Sequence, residues 1–210
     1  MSDKVKKNLN AYTAHIPIQP STHIQYSYMD VISLIKKYYP DDSQAYSLLL
    51  EHGRLVAEKA LQVAGSVASL GPNLVFIEEA SMLHDIGIFL TNAPHLGCYG
   101  NKSYICHGYL GRELLEKEGL PGHAMVCERH VGVGLTITDI ETGNLPLPVR
   151  SMAPATLEEK IICFADKFYS KVKNNTGNEK TVSQIRKELR RYGESKLQQF
   201  DEWLVFFKER

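Results

Sequence analysis

The chain has 210 residues, of which 43% are hydrophobic and 23% are charged, a composition that excludes collagen, low-complexity disorder and a disulfide-stapled miniprotein. Basic and acidic residues number 24 each, so no overall field draws the chain to a nucleic-acid polymer or to an anionic membrane. No C-x-x-C pair and no leader-like apolar segment occurs, which favours reduced thiols in the cytoplasm. We therefore expect one globular core and a small-molecule partner.

The predicted secondary-structure elements are helices almost throughout. Residues 1–27 are polar and predict an extended N-terminal arm. A helix that begins near residue 28 stops at Pro40, and Asp41 or Asp42 is expected to cap the next one. Later apolar stripes predict helices over 43–70, 74–88, 103–118, 122–131, 157–172 and 180–208.

Because no strand series and no repeat appears, the predicted fold class is all-α. We divide the chain into the arm, a helical domain over 28–172, and a polar loop with a final helix over 173–210 that packs on the same domain.

The most informative stretch is an apolar helix that ends in His84, Asp85, Ile86 and Gly87. A carboxylate there faces the negative end of the helix dipole, and its apolar neighbours remove it from water. A positive charge must compensate for both effects. Histidine and aspartate together are suitable ligands for Mn, Fe, Co, Ni or Zn.

Adjacent helical residues diverge by about 100°, so His84 and Asp85 need partners from other helices. Taken singly, each further histidine is more often a hydrogen-bonded core residue than a ligand. A buried carboxylate carries more weight because it requires a partner, although a lysine or an arginine could be that partner. The candidates that interrupt apolar stripes are His52, His107, His130 and Asp166.

The order His52, His84-Asp85, Asp166, with the string His-Asp-Ile-Gly, resembles the HD-domain superfamily of metal-dependent phosphohydrolases over residues 45–172. The segment that begins at His107 and the position of His130 are similar to those of dinuclear members. The resemblance implies an HD-domain/phosphodiesterase-like helical bundle that cleaves a phosphoester or phosphoanhydride of a nucleotide-like substrate with a metal-activated water.

The resemblance also implies two divalent cations per chain: Fe, Mn, Co, Ni or Zn, with Mg also open. Asp85 would bridge them and orient the water. His52, His84 and Asp166 would mainly hold one cation, and His107 and His130 the other.

Three more residues are candidate substrate contacts. Lys167 follows Asp166 and is expected on the pocket wall or on the surface. Arg150, in a proline-rich loop, could clamp a phosphate or be exposed. His123 could donate a proton or be structural.

The chain departs from two branches of the superfamily. Ile88 stands where the cyclic-di-GMP branch has a lysine and where some mononuclear nucleotidases have a glutamate, and no Gly-Tyr-Pro motif occurs. These differences disfavour cyclic di-GMP as the substrate and a mononuclear mechanism. Two alternatives stay open: a non-catalytic module that binds metal or nucleotide, and a di-iron HD-fold oxygenase. The sequence leaves the oligomeric state open.

Overall fold

The computed structural model describes residues 29–171 and 177–209, so the predicted N-terminal arm lies outside the described residues. Within these ranges the chain forms α-helices and one short antiparallel ribbon, which confirms the all-α class. The helices are α1 (Val31–Tyr38), α2 (Gln44–Ser66), α3 (Leu74–Leu83), α4 (His107–Lys117), α5 (Pro121–Arg129), α6 (Ile137–Thr142), α7 (Leu157–Asp166), α8 (Val182–Leu189) and α9 (Glu194–Phe206). The ribbon pairs β1 (Asn92–Ala93) with β2 (Cys98–Tyr99).

Local capping explains where the observed helices differ from the predicted ones. The expectation of an aspartate cap for α2 is wrong, because the Ser43 hydroxyl accepts the Tyr46 backbone N–H at 3.1 Å. The helix predicted over 180–208 is two helices, since Gly193 adopts a φ of +116° between them. Helix α6 was not predicted. It is held by a capping box in which Thr136 and Asp139 satisfy each other's backbone N–H groups.

The main hydrophobic core surrounds α7, whose residues 161–165 are completely buried. The Phe164 ring lies 5.1 Å from the Phe168 ring and 5.3 Å from the Phe200 ring, measured between centroids. Apolar side chains of α2, α3, α8 and α9 join this cluster, including Trp203. Helix α7 therefore has little freedom to move, and its last residue, Asp166, is held accordingly.

A second apolar cluster packs α1 and the start of α2 against the 3-10 segment Ile86–Leu90, which follows α3. Ile35 and Leu49 are among its buried members. Among the described helices, none combines the length and apolar character that a bilayer crossing requires.

Two glycines allow α4 to lie directly on the 3-10 segment. A methyl group at Gly87 would overlap the backbone oxygen of His107 and the backbone nitrogen of Gly111. A methyl group at Gly111 would in turn overlap the Cys127 sulfur on α5. These close approaches bring the first residue of α4, His107, next to the end of α3.

Candidate metal centre

Ionisable side chains from five helices or helix ends meet in the interior. One comes from the middle of α2, two follow the last residue of α3, one begins α4, one caps the end of α5, and one ends α7. All are at least 93% buried, because the largest exposed fraction among them is 7%. They are His52, His84, Asp85, His107, His130 and Asp166.

Asp85 lies at the centre of this cluster, with one carboxylate oxygen facing each side. Its Oδ2 lies 3.1 Å from His84 Nε2 and 3.4 Å from His52 Nε2. Its Oδ1 lies 3.3 Å from both His107 Nε2 and His130 Nε2. The cluster therefore has two lobes, which we call the Oδ2 lobe and the Oδ1 lobe.

Asp166 closes the Oδ2 lobe from the opposite side. Its Oδ1 lies 2.9 Å from His52 Nε2 and 3.4 Å from His84 Nε2. The Oδ2 lobe thus offers two nitrogens and two carboxylate oxygens, whereas the Oδ1 lobe offers two nitrogens and one oxygen. Both sets could bind a first-row divalent cation.

In three of the histidines, Nδ1 faces a backbone carbonyl oxygen, and this explains why Nε2 is available as a ligand. A carbonyl oxygen cannot donate, so each ring must carry a proton on Nδ1 and can direct the Nε2 lone pair inward. The Nδ1-to-carbonyl distances are 2.6 Å for His84 and Ser81, 2.6 Å for His107 and Tyr104, and 2.7 Å for His130 and Cys127.

Facing lone pairs make the fit to a cation specific. His107 Nε2 and His130 Nε2 lie 3.1 Å apart, and in the neutral tautomers fixed above neither can donate to the other. Asp85 Oδ1 has no hydrogen-bond partner among the described residues. A cation between these three atoms would satisfy all of them.

The electrostatics of the cluster agree with this fit. Burial lowers the pKa of His107 to about 3, and burial with the Lys171 charge lowers that of His52 to about 4. Both rings therefore stay neutral, as ligands must. His84 is the exception: burial opposes its protonation, but Asp85 and Asp166 outweigh burial and raise the pKa of His84 to about 9, so a cation would have to displace a proton from this ring.

Three helix ends strengthen the preference for positive charge. Helix α3 ends at Leu83 just before His84, α5 ends just before His130, and α7 ends at Asp166. Each helix presents its C-terminal end, which carries partial negative charge, to the cluster. The surrounding backbone thus favours a cation over an anion at this place.

The three candidate substrate contacts lie in different surroundings. Lys167 Nζ lies 2.8 Å from Asp166 Oδ2, at the edge of the cluster. The Arg150 guanidinium is engaged by Glu128, whose carboxylate is buried and also binds Arg112. Among the described residues, Arg150 makes no ion pair with the cluster.

His123 also lies apart from the six clustered residues. Its Nε2 lies 3.4 Å from Glu79 Oε2, and its ring meets the Phe76 ring edge-on. The described part of the chain therefore gives His123 neighbours on α3 and none of the candidate ligands.

Sequence reasoning did not single out Lys171, which lies at the edge of the cluster. Its Nζ lies 2.7 Å from Asp85 Oδ2 and 3.9 Å from Asp166 Oδ1. Its charge also acts on Tyr104, whose ring is tilted by 30° from the His107 ring with 4.7 Å between centroids. Burial disfavours the ammonium, but the two carboxylates outweigh it and raise the pKa of Lys171. The only sequence signal was the general need of Asp166 for a positive partner.

The chain is similar to several archaeal proteins. It is 29% identical over 170 residues to a tRNA (cytidine(56)-2'-O)-methyltransferase of Picrophilus torridus, a match that covers 76% of this chain and 42% of that protein. The corresponding match to the enzyme of the same name from Thermoplasma volcanium is 26% identical over 140 residues and covers 66% and 35%. An uncharacterized protein of Methanocaldococcus jannaschii is 34% identical over 121 residues, covering 56% and 64%. The chain thus spans less than half the length of either methyltransferase.

No protein-family model matches the chain. Among solved structures, the HD domain of the phosphodiesterase PgpH from L. monocytogenes superposes with a TM-score of 0.48 at 16% identity, covering 84% of this chain and 95% of that one. The buried His/Asp cluster fits a metal site of the HD type that the His84-Asp85 motif indicated.

Proposed function

We propose that this protein is a metal-dependent phosphohydrolase that holds two divalent transition metals, one in each lobe of the cluster. The observation that carries the proposal is the pair of facing histidine nitrogens in the Oδ1 lobe, 3.1 Å apart, beside a carboxylate oxygen without a hydrogen-bond partner among the described residues. A hydrogen-bonded histidine core would not leave two acceptors facing each other.

In this proposal, Asp85 bridges the two lobes and fixes their separation through its two oxygens. His52, His84 and Asp166 hold the Oδ2 lobe, and His107 and His130 hold the Oδ1 lobe. When bound, the cations would supply Lewis acidity that lowers the pKa of a water and neutralises phosphate oxygens. The carbonyl partners of the three histidines keep the rings from rotating, which preserves the alignment of the ligands.

The substrate class follows from the residues at the edge of the cluster. Lys167 and Lys171 bring two positive charges beside Asp166 and Asp85. Because Lys+Arg and Asp+Glu are equal in number, attraction of an anion has to come from this local charge. We propose a small phosphoester or phosphoanhydride such as a nucleotide, rather than a nucleic-acid polymer or a membrane. The four cysteines, all free, are consistent with a cytoplasmic place of action.

Methyl transfer, named for two of the relatives, is not what we propose for this chain. A cluster of four imidazoles and two carboxylates is a donor set for cations, and transfer of a methyl group does not call for one. Most of the length of each methyltransferase lies outside the match, so the activity named for it need not reside in the shared part.

The first experiment is elemental analysis of protein purified without a chelator or a histidine tag. We expect close to two transition metals per chain in the wild type and close to one in His107→Ala. His95→Ala is the matched control, because His95 is exposed in the 3-10 turn Pro94–Leu96. A wild type that binds no metal after reconstitution would end the proposal.

The second experiment is hydrolysis of a panel of nucleotides and a chromogenic phosphodiester by the metal-loaded protein. Metal-dependent turnover that is lost in Asp85→Ala supports the phosphohydrolase. Thermal stabilisation by a nucleotide without product would instead indicate a non-catalytic binding module. Oxygen uptake by the ferrous protein would indicate the di-iron oxygenase.

A further inference from the structure

Lys171 has a position that the proposed function does not yet use. Its ammonium lies 2.7 Å from Asp85 Oδ2, the same oxygen that faces His52 and His84 across the Oδ2 lobe. Only 15% of its side chain is exposed. A cation in the Oδ2 lobe and the Lys171 ammonium would therefore contend for one carboxylate oxygen.

Simultaneous contact with Asp85 Oδ2 is unfavourable because a divalent cation and an ammonium repel each other at this range in a poorly hydrated interior. The lysine can yield, since its charge sits on a flexible four-carbon stem. With 15% of its side chain exposed, it lies at the edge of the cluster. The rings of His84, His107 and His130 lack this freedom because their Nδ1 atoms are held by backbone carbonyls.

Tyr104 is a neighbour of both the ammonium and the Oδ1 lobe. The Lys171 charge acts on its hydroxyl, and its ring lies against His107 in that lobe. An ammonium that leaves Asp85 while remaining near this hydroxyl stays beside both lobes. An anionic group that bridges the two lobes would come within its reach.

We propose that Lys171 exchanges partners: its ammonium neutralises Asp85 and Asp166 while the cluster lacks cations, and it turns to the phosphoryl group of the substrate once cations are bound. The lysine is thus both an internal competitor of metal binding and a substrate-binding residue. This inference rests on the proposed function for the identity of the anion.

The test compares Lys171→Met with the wild type by titration calorimetry in two steps that need no turnover. The first step titrates Mn²⁺ into metal-free protein, and the second titrates inorganic phosphate into Mn²⁺-loaded protein. We expect the variant to bind Mn²⁺ about tenfold more tightly, because the competing charge is gone. We expect it to bind phosphate about tenfold more weakly, because a charge-assisted hydrogen bond is lost.

Three further variants make the result specific. Lys171→Arg keeps the charge and should retain phosphate binding to within about threefold. Lys160→Met on α7 is the matched control for loss of a lysine that makes no ion pair with the cluster among the described residues, and both affinities should stay at their wild-type values. Lys171→Gln is a second neutral variant, to be used if circular dichroism shows that Lys171→Met does not fold.

The two affinities must move in opposite directions. A lysine that is only structural would weaken both or change neither, so an unchanged or weaker Mn²⁺ affinity overturns the proposal. An unchanged phosphate affinity, or a loaded wild type that binds no phosphate, overturns it as well. A wild type that hydrolyses nothing in the substrate panel would end the phosphohydrolase proposal, but the role of Lys171 would still be decided by these two affinities.

Discussion

Replacement of Gly87 by alanine tests whether the contact of α4 with the 3-10 segment builds the Oδ1 lobe. The added methyl group would overlap the backbone oxygen of His107 and the backbone nitrogen of Gly111. No side-chain rotation relieves an overlap with backbone atoms, so α4 must move away. Overpacking of this kind costs about 1–3 kcal/mol. In a protein of this size, 1 kcal/mol lowers Tm by about 2–4 °C, so we expect Tm to fall by about 2–12 °C.

The metal content should report where the displacement acts. His107 begins α4 and moves with it, whereas the ligands of the Oδ2 lobe lie on α2, α3 and α7. We therefore expect Gly87→Ala to retain about one metal per chain by elemental analysis. Gly65→Ala on α2 is the matched control, because a methyl group there meets no atom within 4 Å. Wild-type Tm and two metals in Gly87→Ala would refute the reasoning.

Three other predictions address the bridge, the core and a surface cap. Asp85→Asn should lose metal from both lobes in elemental analysis, and retention of either metal would contradict a bridging role. Phe164→Ala should lower the free energy of unfolding by about 3–5 kcal/mol in urea titrations, because Phe164 is fully buried against Phe200, and a loss below about 1 kcal/mol would contradict this packing. Burial raises the pKa of Asp139, but Lys196 and the Thr136 cap lower it more, so its stabilisation is present above its ordinary pKa of 3.8 and is lost as the pH falls through the lower folded value. Asp139→Asn should therefore lower the free energy of unfolding by about 1 kcal/mol at pH 7 in urea titrations. If the difference in this free energy between wild type and variant does not shrink below pH 3.8, the ion pair is contradicted.

The helices were predictable because their apolar periods are strong and their stop signals are local. Helix α2 follows from one long apolar stripe with a histidine inside it, and α7 from a nearly continuous apolar run. Helix boundaries are harder to predict. At the start of α2, the sequence alone does not tell whether Ser43 or one of the neighbouring residues Asp41 and Asp42 caps the helix. The apolar pattern read over 180–208 as one helix does not reveal the break at Gly193, where φ is +116°.

The candidate ligands were predictable for a different reason. A metal-capable side chain inside an apolar stripe is costly, so the stripe itself marks it, as at His52 and Asp166. Arg150 shows the limit of this reasoning, because its partner Glu128 is buried on another element and no spacing connects them. Lys171 shows it more sharply: in sequence it belongs to a polar run, and only the turn after α7 brings it back to Asp85.

The charge balance of the cluster connects its two proposed states. Without cations, the ammonium groups of Lys167 and Lys171 lie beside the carboxylates of Asp166 and Asp85, so each buried carboxylate has a positive partner. Two divalent cations would leave the same site strongly positive. The C-terminal ends of three helices, which carry partial negative charge, favour cations at this place. A neutral protein would then attract a phosphorylated anion at one point of its surface only. Specificity for a small anion over an extended nucleic acid would follow from this local field, without any excess of basic residues in the chain.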